Sequence, residues 1–195
     1  TMRVLSDRQS FVDDSAETKP AIRWLLDVMA HAPAAQQHRI FRIVNREVLD
    51  TLGLEARLKP STTKYRYAAE EIAPALSSLQ EQYIKTMQLK PAQWDVYQRK
   101  IVEAGEHWLL YLRLYNRDIP FVAPPLSADE TWKSLPQVLH QSEHAGKLEP
   151  AVASFEKILE TYRDGDPVAF RSQIMEHQLL LRDELQHGAL QPILA

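Results

Sequence analysis

The chain has 195 residues, of which 45% are apolar and 25% charged. That is the make-up of a folded globular protein with one large core or two smaller ones, and it is too apolar for disorder. A net charge of -3 offers no field for a polyanion and argues against nucleic acid as a partner. The absence of cysteine removes disulfides, thiolate metal sites and cysteine nucleophiles, without fixing the compartment.

Residues 19–31 read as a first helix, with Pro20 in its first turn, Ile22, Leu25, Leu26 and Met29 on an apolar face, and Pro33 as its stop. Residues 38–44, His-Arg-Ile-Phe-Arg-Ile-Val, are β-rich and predict a strand with Phe41 and Ile43 on one face. Asn45 suits the N-cap of a short helix carrying Val48, Leu49 and Leu52, and Gly53 suits its end. After a loop containing residues 60–63, Tyr65-Arg-Tyr-Ala68 predicts a second short strand, so that the two form a ribbon in need of helical cover. A helix then runs to about Met87, with Ile72, Leu76, Leu79, Tyr83 and Met87 on one stripe and Pro74 near its start.

The strongest periodicity lies between Pro91 and Asn116. Trp94, Tyr97, Ile101, Ala104, Trp108, Tyr111 and Tyr115 recur at alternating spacings of three and four, predicting a long helix, a rod of roughly 39 Å at 1.5 Å per residue. Asp118-Ile-Pro-Phe-Val-Ala-Pro-Pro-Leu126 cannot be helical. Beyond it come a short helix near residues 135–144 and a helical hairpin. Val152, Phe155, Leu159 and Tyr162 face one way on its first arm; Phe170, Ile174, His177, Leu181 and Leu185 share a face on the second. In the turn, Gly165 is the stop, Asp166 the N-cap and Pro167 the first helical position. The expected fold is mainly α, with a long central helix, a C-terminal helical hairpin and a small two-stranded β ribbon. Its expected division is an N-terminal subdomain over residues 1–118, a Pro-rich connection over 119–133, and the hairpin subdomain over 134–195.

No segment approaches the ~20 apolar residues that cross a bilayer; the best, residues 108–115, is short and broken by Arg113. Thr1-Met-Arg-Val lacks the apolar run of a signal peptide. Thr1 ahead of Met2 leads to the expectation that the reading frame extends beyond both ends.

Three features carry candidate chemistry. His140-Gln-Ser-Glu-His144 matches H-x-x-E-H, in which two histidines one helical turn apart bind zinc beside a general base. Its short, Pro- and Gly-flanked setting offers no third ligand, and a solvated helix end is the favoured reading. His177 is the histidine set squarely in an apolar stripe. It is a candidate haem contact, as is His107 beside Trp108, against the favoured reading of a core or interface histidine. The aromatic stripe of the long helix reads first as core. Trp132 follows the Pro-rich loop; exposed, it would anchor a partner, and capping the junction of the two halves it would be structural, the preferred reading of the two. There is no G-x-S-x-G, phosphate loop or dinucleotide fingerprint, so the sequence alone does not indicate an enzyme.

Several strings resemble the long soluble region of fused, CcsBA-type system II cytochrome c biogenesis proteins, on the CcsA side. They are Asp7-Arg-Gln-Ser-Phe-Val-Asp13, Lys19-Pro-Ala-Ile-Arg-Trp-Leu-Leu-Asp27, His38-Arg-Ile-Phe-Arg-Ile43, Val48-Leu-Asp-Thr-Leu-Gly-Leu54, Tyr65-Arg-Tyr67, and Glu160-Thr-Tyr-Arg-Asp-Gly-Asp-Pro-Val-Ala-Phe170. The last is near the pattern AYRxGDxxxF of that region. The resemblance covers most of the chain with diffuse strings, not a catalytic signature. It implies a domain on the extracytoplasmic, periplasmic side of the inner membrane, within a larger membrane protein that carries haem outward and acts as a cytochrome c haem lyase. Its implied partners are apocytochrome c and the membrane portion of that protein. The family's tryptophan-rich motif and membrane histidines have no counterpart here. The implied role is therefore a docking or shielding surface that binds no cofactor tightly itself, with haem reached through the parent protein. The alternative is a free-standing helical protein-interaction module unrelated to haem.

Overall fold

The computed structural model describes residues 10–12, 18–54, 65–125, 131–145 and 149–187. The protein is mainly α-helical, with several long helices and small two-stranded sheets. The described residues form two compact units: those up to Val28 with Pro33–Leu112, and Met29–Ala32 with those from Arg113 onward.

The first unit opens with an antiparallel ribbon of β1 (Ser10–Val12) and β2 (Thr18–Pro20), from which α1 (Ala21–Met29) leads directly. Pro20 is thus the last strand residue and not a residue of the first helical turn, as the sequence predicts. With φ already fixed and no N–H to lose, proline is tolerated at such a strand end. Phe11 on β1 is buried, its ring 4.7 Å from that of His38, and Trp24 and Val28 on α1 are buried too.

The one ribbon that the sequence predicts forms as the second of two, the first being unforeseen. β3 (Phe41–Arg42) pairs antiparallel with β4 (Arg66–Tyr67), and the Ile43 N–H prolongs the ladder by donating to the Tyr65 carbonyl at 3.0 Å. Phe41 and Ile43 are both buried, as their alternation requires. The Asn45 side chain accepts from the Val48 N–H at 3.0 Å and starts α2 (Arg46–Thr51), whose Val48 and Leu49 enter the core. Arg39 and the Ala68 N–H both donate to Glu71, joining the approach to β3 to the start of α3 (Ala69–Ile72).

Pro74 falls in a 3-10 turn, so the predicted single helix is divided into α3 and α4 (Leu76–Met87). Leu79 is buried, but the last buried position is Thr86, and Met87 is half-exposed. The reason is local: the indole N–H of Trp94 donates to the Thr86 carbonyl at 3.1 Å, folding that ring back over α4. Trp94 therefore lies ahead of the long helix, α5 (Val96–Tyr115). Asp95 and Gln98 cap α5 reciprocally, each side chain accepting from the other's backbone N–H at 2.7 and 2.9 Å. Twenty helical residues span about 30 Å. Ile101, Val102 and Tyr111 are buried, and the rings of Phe41, Trp108 and Tyr111 lie 5.4–5.8 Å apart.

In the second unit, Val122 and Ala123 bond antiparallel to Lys133 and pack with α6 (Leu135–Ala145) and α7 (Pro150–Arg163) through Leu135, Val138 and Val152. The Arg117 guanidinium binds the Met29 carbonyl at 2.9 Å and Glu156 at 3.3 Å, and His31 meets the Tyr115 carbonyl at 2.7 Å. The predicted hairpin is present as α7 and α8 (Pro167–His187). Gly165 has φ +72°, and the N–H groups of Gly165 and Asp166 return to the carbonyls of Tyr162 and Thr161, which closes α7. The Asp166 carboxylate then accepts from Val168 and Ala169, both at 3.0 Å, and opens α8. One aspartate serves both helix ends.

A cleft beside His107

A cavity of about 260 Å³ in the first unit lies between two walls. One is the extended stretch Arg42, Ile43, Val44 and Asn45; the other is Lys100, Glu103, Ala104 and His107 of α5. The helical wall follows from spacing, since positions i, i+3, i+4 and i+7 share a face. Burial of Ile101 and Val102 holds that face in place. The other wall is held extended by the Ile43–Tyr65 bond at one end and turned by the Asn45 cap at the other.

The lining is mixed. Ile43 and Ala104 are apolar, Arg42, Lys100 and His107 are cationic or can become so, and Glu103 is the single carboxylate. Lys100 and Glu103 pair with each other while half-exposed, an arrangement worth ~0–1 kcal/mol. A pinhole of about 10 Å³, the room of roughly one water, continues inward. It shares Ile43, Ala104 and His107 with the cleft and adds Phe41, Leu52, Leu79 and Trp108. His107 thus stands between a polar mouth and an aromatic core. Chemically the cleft is suited to an anionic group with an apolar neighbour.

The sequence candidates are divided between the units. His107 lines this cleft. His177 lies in the second unit, half-buried on α8, its ring 5.9 Å from Phe155. Burial pulls its pKa below the ordinary imidazole value, and its Nδ1 is buried with no hydrogen-bond partner among the described residues. Trp132 is 43% exposed next to the Ala123–Lys133 bridge, and Phe121 is 52% exposed just before it. Of the H-x-x-E-H match, His140 is exposed on α6, while the side chains of Glu143 and His144 lie outside the described residues. Among the described residues no three His, Asp or Glu side chains gather to hold a metal ion, and no helix is long and apolar enough to cross a membrane.

Sequence reasoning missed Arg42, Lys100 and Glu103. The available signal was the spacing of Lys100, Glu103 and His107 on one face of a confidently periodic helix, but nothing local ties that face to Arg42. It also missed a buried pair: His38 Nε2 meets Asp27 Oδ2 at 2.8 Å, with both side chains about one-tenth exposed. No family profile and no curated protein matches the chain.

Proposed function

We propose that this chain is a helical module that docks other polypeptides. The observation that carries the reading is α8, a helix apolar on two opposite sides. At about 100° per residue, Phe170, Ile174, His177 and Leu181 fall on one side and are half-buried against the hairpin. Val168, Met175 and Leu179 fall on the other, 78%, 58% and 65% exposed. This second row extends over roughly 16 Å, and scattered exposed apolar residues do not ordinarily align in this way. Helix-in-groove docking uses such i, i+7, i+11 anchors. The test is a photo-crosslinking residue placed at Met175 and, as control, at Lys85 in the native cell. Protein adducts at Met175 and none at Lys85 are expected; equal yields would remove the support.

A narrower reading sets this docking in cytochrome c assembly, and the strings from Asp7 to Phe170 that resemble CcsBA-type proteins favour it. Under that proposal the chain lies on the extracytoplasmic side of the inner membrane as part of a larger membrane protein. It meets apocytochrome c, with Trp132 as an anchor and His107 and His177 as haem contacts. Titration of the purified chain with hemin and with a CXXCH peptide separates the two readings. Binding weakened by Trp132→Ala or His177→Leu favours assembly, and no response to either favours a module unrelated to haem.

A further inference from the structure

We propose that the outer row of α8 packs against the same row of a second copy of this chain, the two helices running parallel about a two-fold axis, with Arg171 of each copy meeting Glu176 of the other. The inference rests on the docking reading above and names its partner.

Register comes first. Along the outer side of α8, Val168, Ser172, Met175, Leu179 and Arg182 recur at alternating spacings of four and three, and all of them are exposed. That alternation is the one a coiled-coil seam uses, while the opposite side of the helix is taken up by α7. In a parallel two-fold pair, each seam residue meets its own copy across the axis. Val168, Met175 and Leu179 then form apolar layers over roughly 16 Å, and the small Ser172 between them lets the helices approach. Arg182 meets a like charge and ends the seam, its stem lying along the pair while its guanidinium reaches water.

Charge selects both the partner and the orientation. At about 100° per residue, Arg171 borders the seam on one side, and Glu176 and Asp183 border it on the other. A two-fold axis along the helices brings opposite borders together, so Arg171 meets Glu176 of the other copy, five positions on, and does so twice. An antiparallel pair would set acidic border against acidic border. Among the described residues Arg171 holds no hydrogen bond or ion pair. Glu176 there has neutral partners, the Gln173 amide at 2.9 Å and the Ser172 hydroxyl at 3.5 Å, and a carboxylate accepts about four donors. The face is thus complementary to itself in charge as well as in shape.

The test uses the full chain. Because it has no cysteine, single substitutions report the register: Val168→Cys, Ser172→Cys and Leu179→Cys, each oxidised alone, should give disulfide-linked dimers, since facing seam positions lie within the ~4.4–6.8 Å Cα separation a disulfide spans. Lys85→Cys on α4 should give none. A seam this short is well below a standard interface, so sedimentation of the native chain should show a weak dimer, with a Kd of ~0.1–1 mM. Arg171→Glu turns both cross-pairs into repulsions and should weaken association about tenfold, as should Glu176→Arg. Mixing those two variants should restore it as a heterodimer, which a merely damaged helix cannot do. Both positions are exposed, and unchanged circular dichroism verifies the fold. A native chain monomeric at about 2 mM, charge variants that associate like the native chain, or no rescue on mixing would each overturn the proposal. So would a disulfide joining Val168→Cys to Leu179→Cys chains in preference to like with like. A monomeric chain that still gives selective adducts at Met175 in the cell leaves the docking reading standing with a different partner; equal yields at Met175 and Lys85 beside an intact purified dimer do the reverse.

Discussion

Gly105 lies in the middle of a twenty-residue helix, where exchange for alanine ordinarily stabilises by ~1 kcal/mol. Here the expected sign is reversed. A Cβ at this position would stand 2.4 Å from Cδ2 of Tyr83, 3.0 Å from Cε2 and 3.1 Å from Cγ, against a carbon–carbon optimum of ~3.5–4.0 Å. Rotation about the ring axis can move Cδ2 and Cε2 but not Cγ, which lies on that axis, so the Cγ contact is relieved only if the whole side chain shifts. Overpacking of this size costs ~1–3 kcal/mol. Net of the propensity gain, Gly105→Ala should destabilise by up to ~2 kcal/mol. In a Tyr83→Ala background the same exchange should stabilise by ~1 kcal/mol, giving a coupling of ~1–3 kcal/mol in the double-mutant cycle. Urea unfolding followed by tryptophan fluorescence measures this. In a Trp132→Phe host, the remaining tryptophans, Trp24, Trp94 and Trp108, all belong to the first unit, so the signal reports that unit alone. If Gly105→Ala stabilises in the presence of Tyr83, the ring yields freely and the close approach of α4 to α5 constrains nothing.

His177 provides a pH test. Burial lowers its pKa in the fold, so its neutral form is the one folding favours. The stabilisation is complete above the ordinary value of ~6.5 and is lost as pH falls from there toward the lowered folded value, where the unfolded chain takes up the proton first. Thermal melts followed through Trp132 should show this acid loss in the native protein and a smaller slope in His177→Leu; an identical slope counts against the assignment. Asp166→Ala removes both bonds that open α8 and should cost ~1–2 kcal/mol, while Asp166→Asn retains most of the stability; hydrogen exchange at residues 167–172 reads the fraying directly. His38→Ala takes a hydrogen bond from Asp27, which is 8% exposed, and should cost ~1–3 kcal/mol in urea unfolding. A midpoint equal to the native one would mean that other groups meet Asp27's needs.

The candidate surfaces differ in how far they could be read ahead of the structure. The two sides of α8 follow from spacing alone, yet only the hairpin decides which of them is covered. The cleft was invisible for a plainer reason: Arg42 and Lys100 are far apart in sequence, and their convergence depends on β3 and α5 packing into one core. Trp132 stood out by its setting after the Pro-rich segment, but exposure is a property of neighbours and not of the residue.

Elements governed by their immediate neighbours in the chain were legible from residue order. The Asn45 cap, the Gly165–Asp166–Pro167 turn, the ribbon of residues 41–42 with 66–67 and the body of α5, though not its start, all came from contacts a few residues long or from strong periodicity, whose energetics a linear reading captures. Long-range packing settled the rest. Trp94 left its predicted helical stripe to cover Thr86, Pro20 ended a strand whose partner lies upstream, and Asp27 found His38. Each of these depends on burial and hydrogen bonding supplied by another element, and a one-dimensional pattern carries no record of which element that will be.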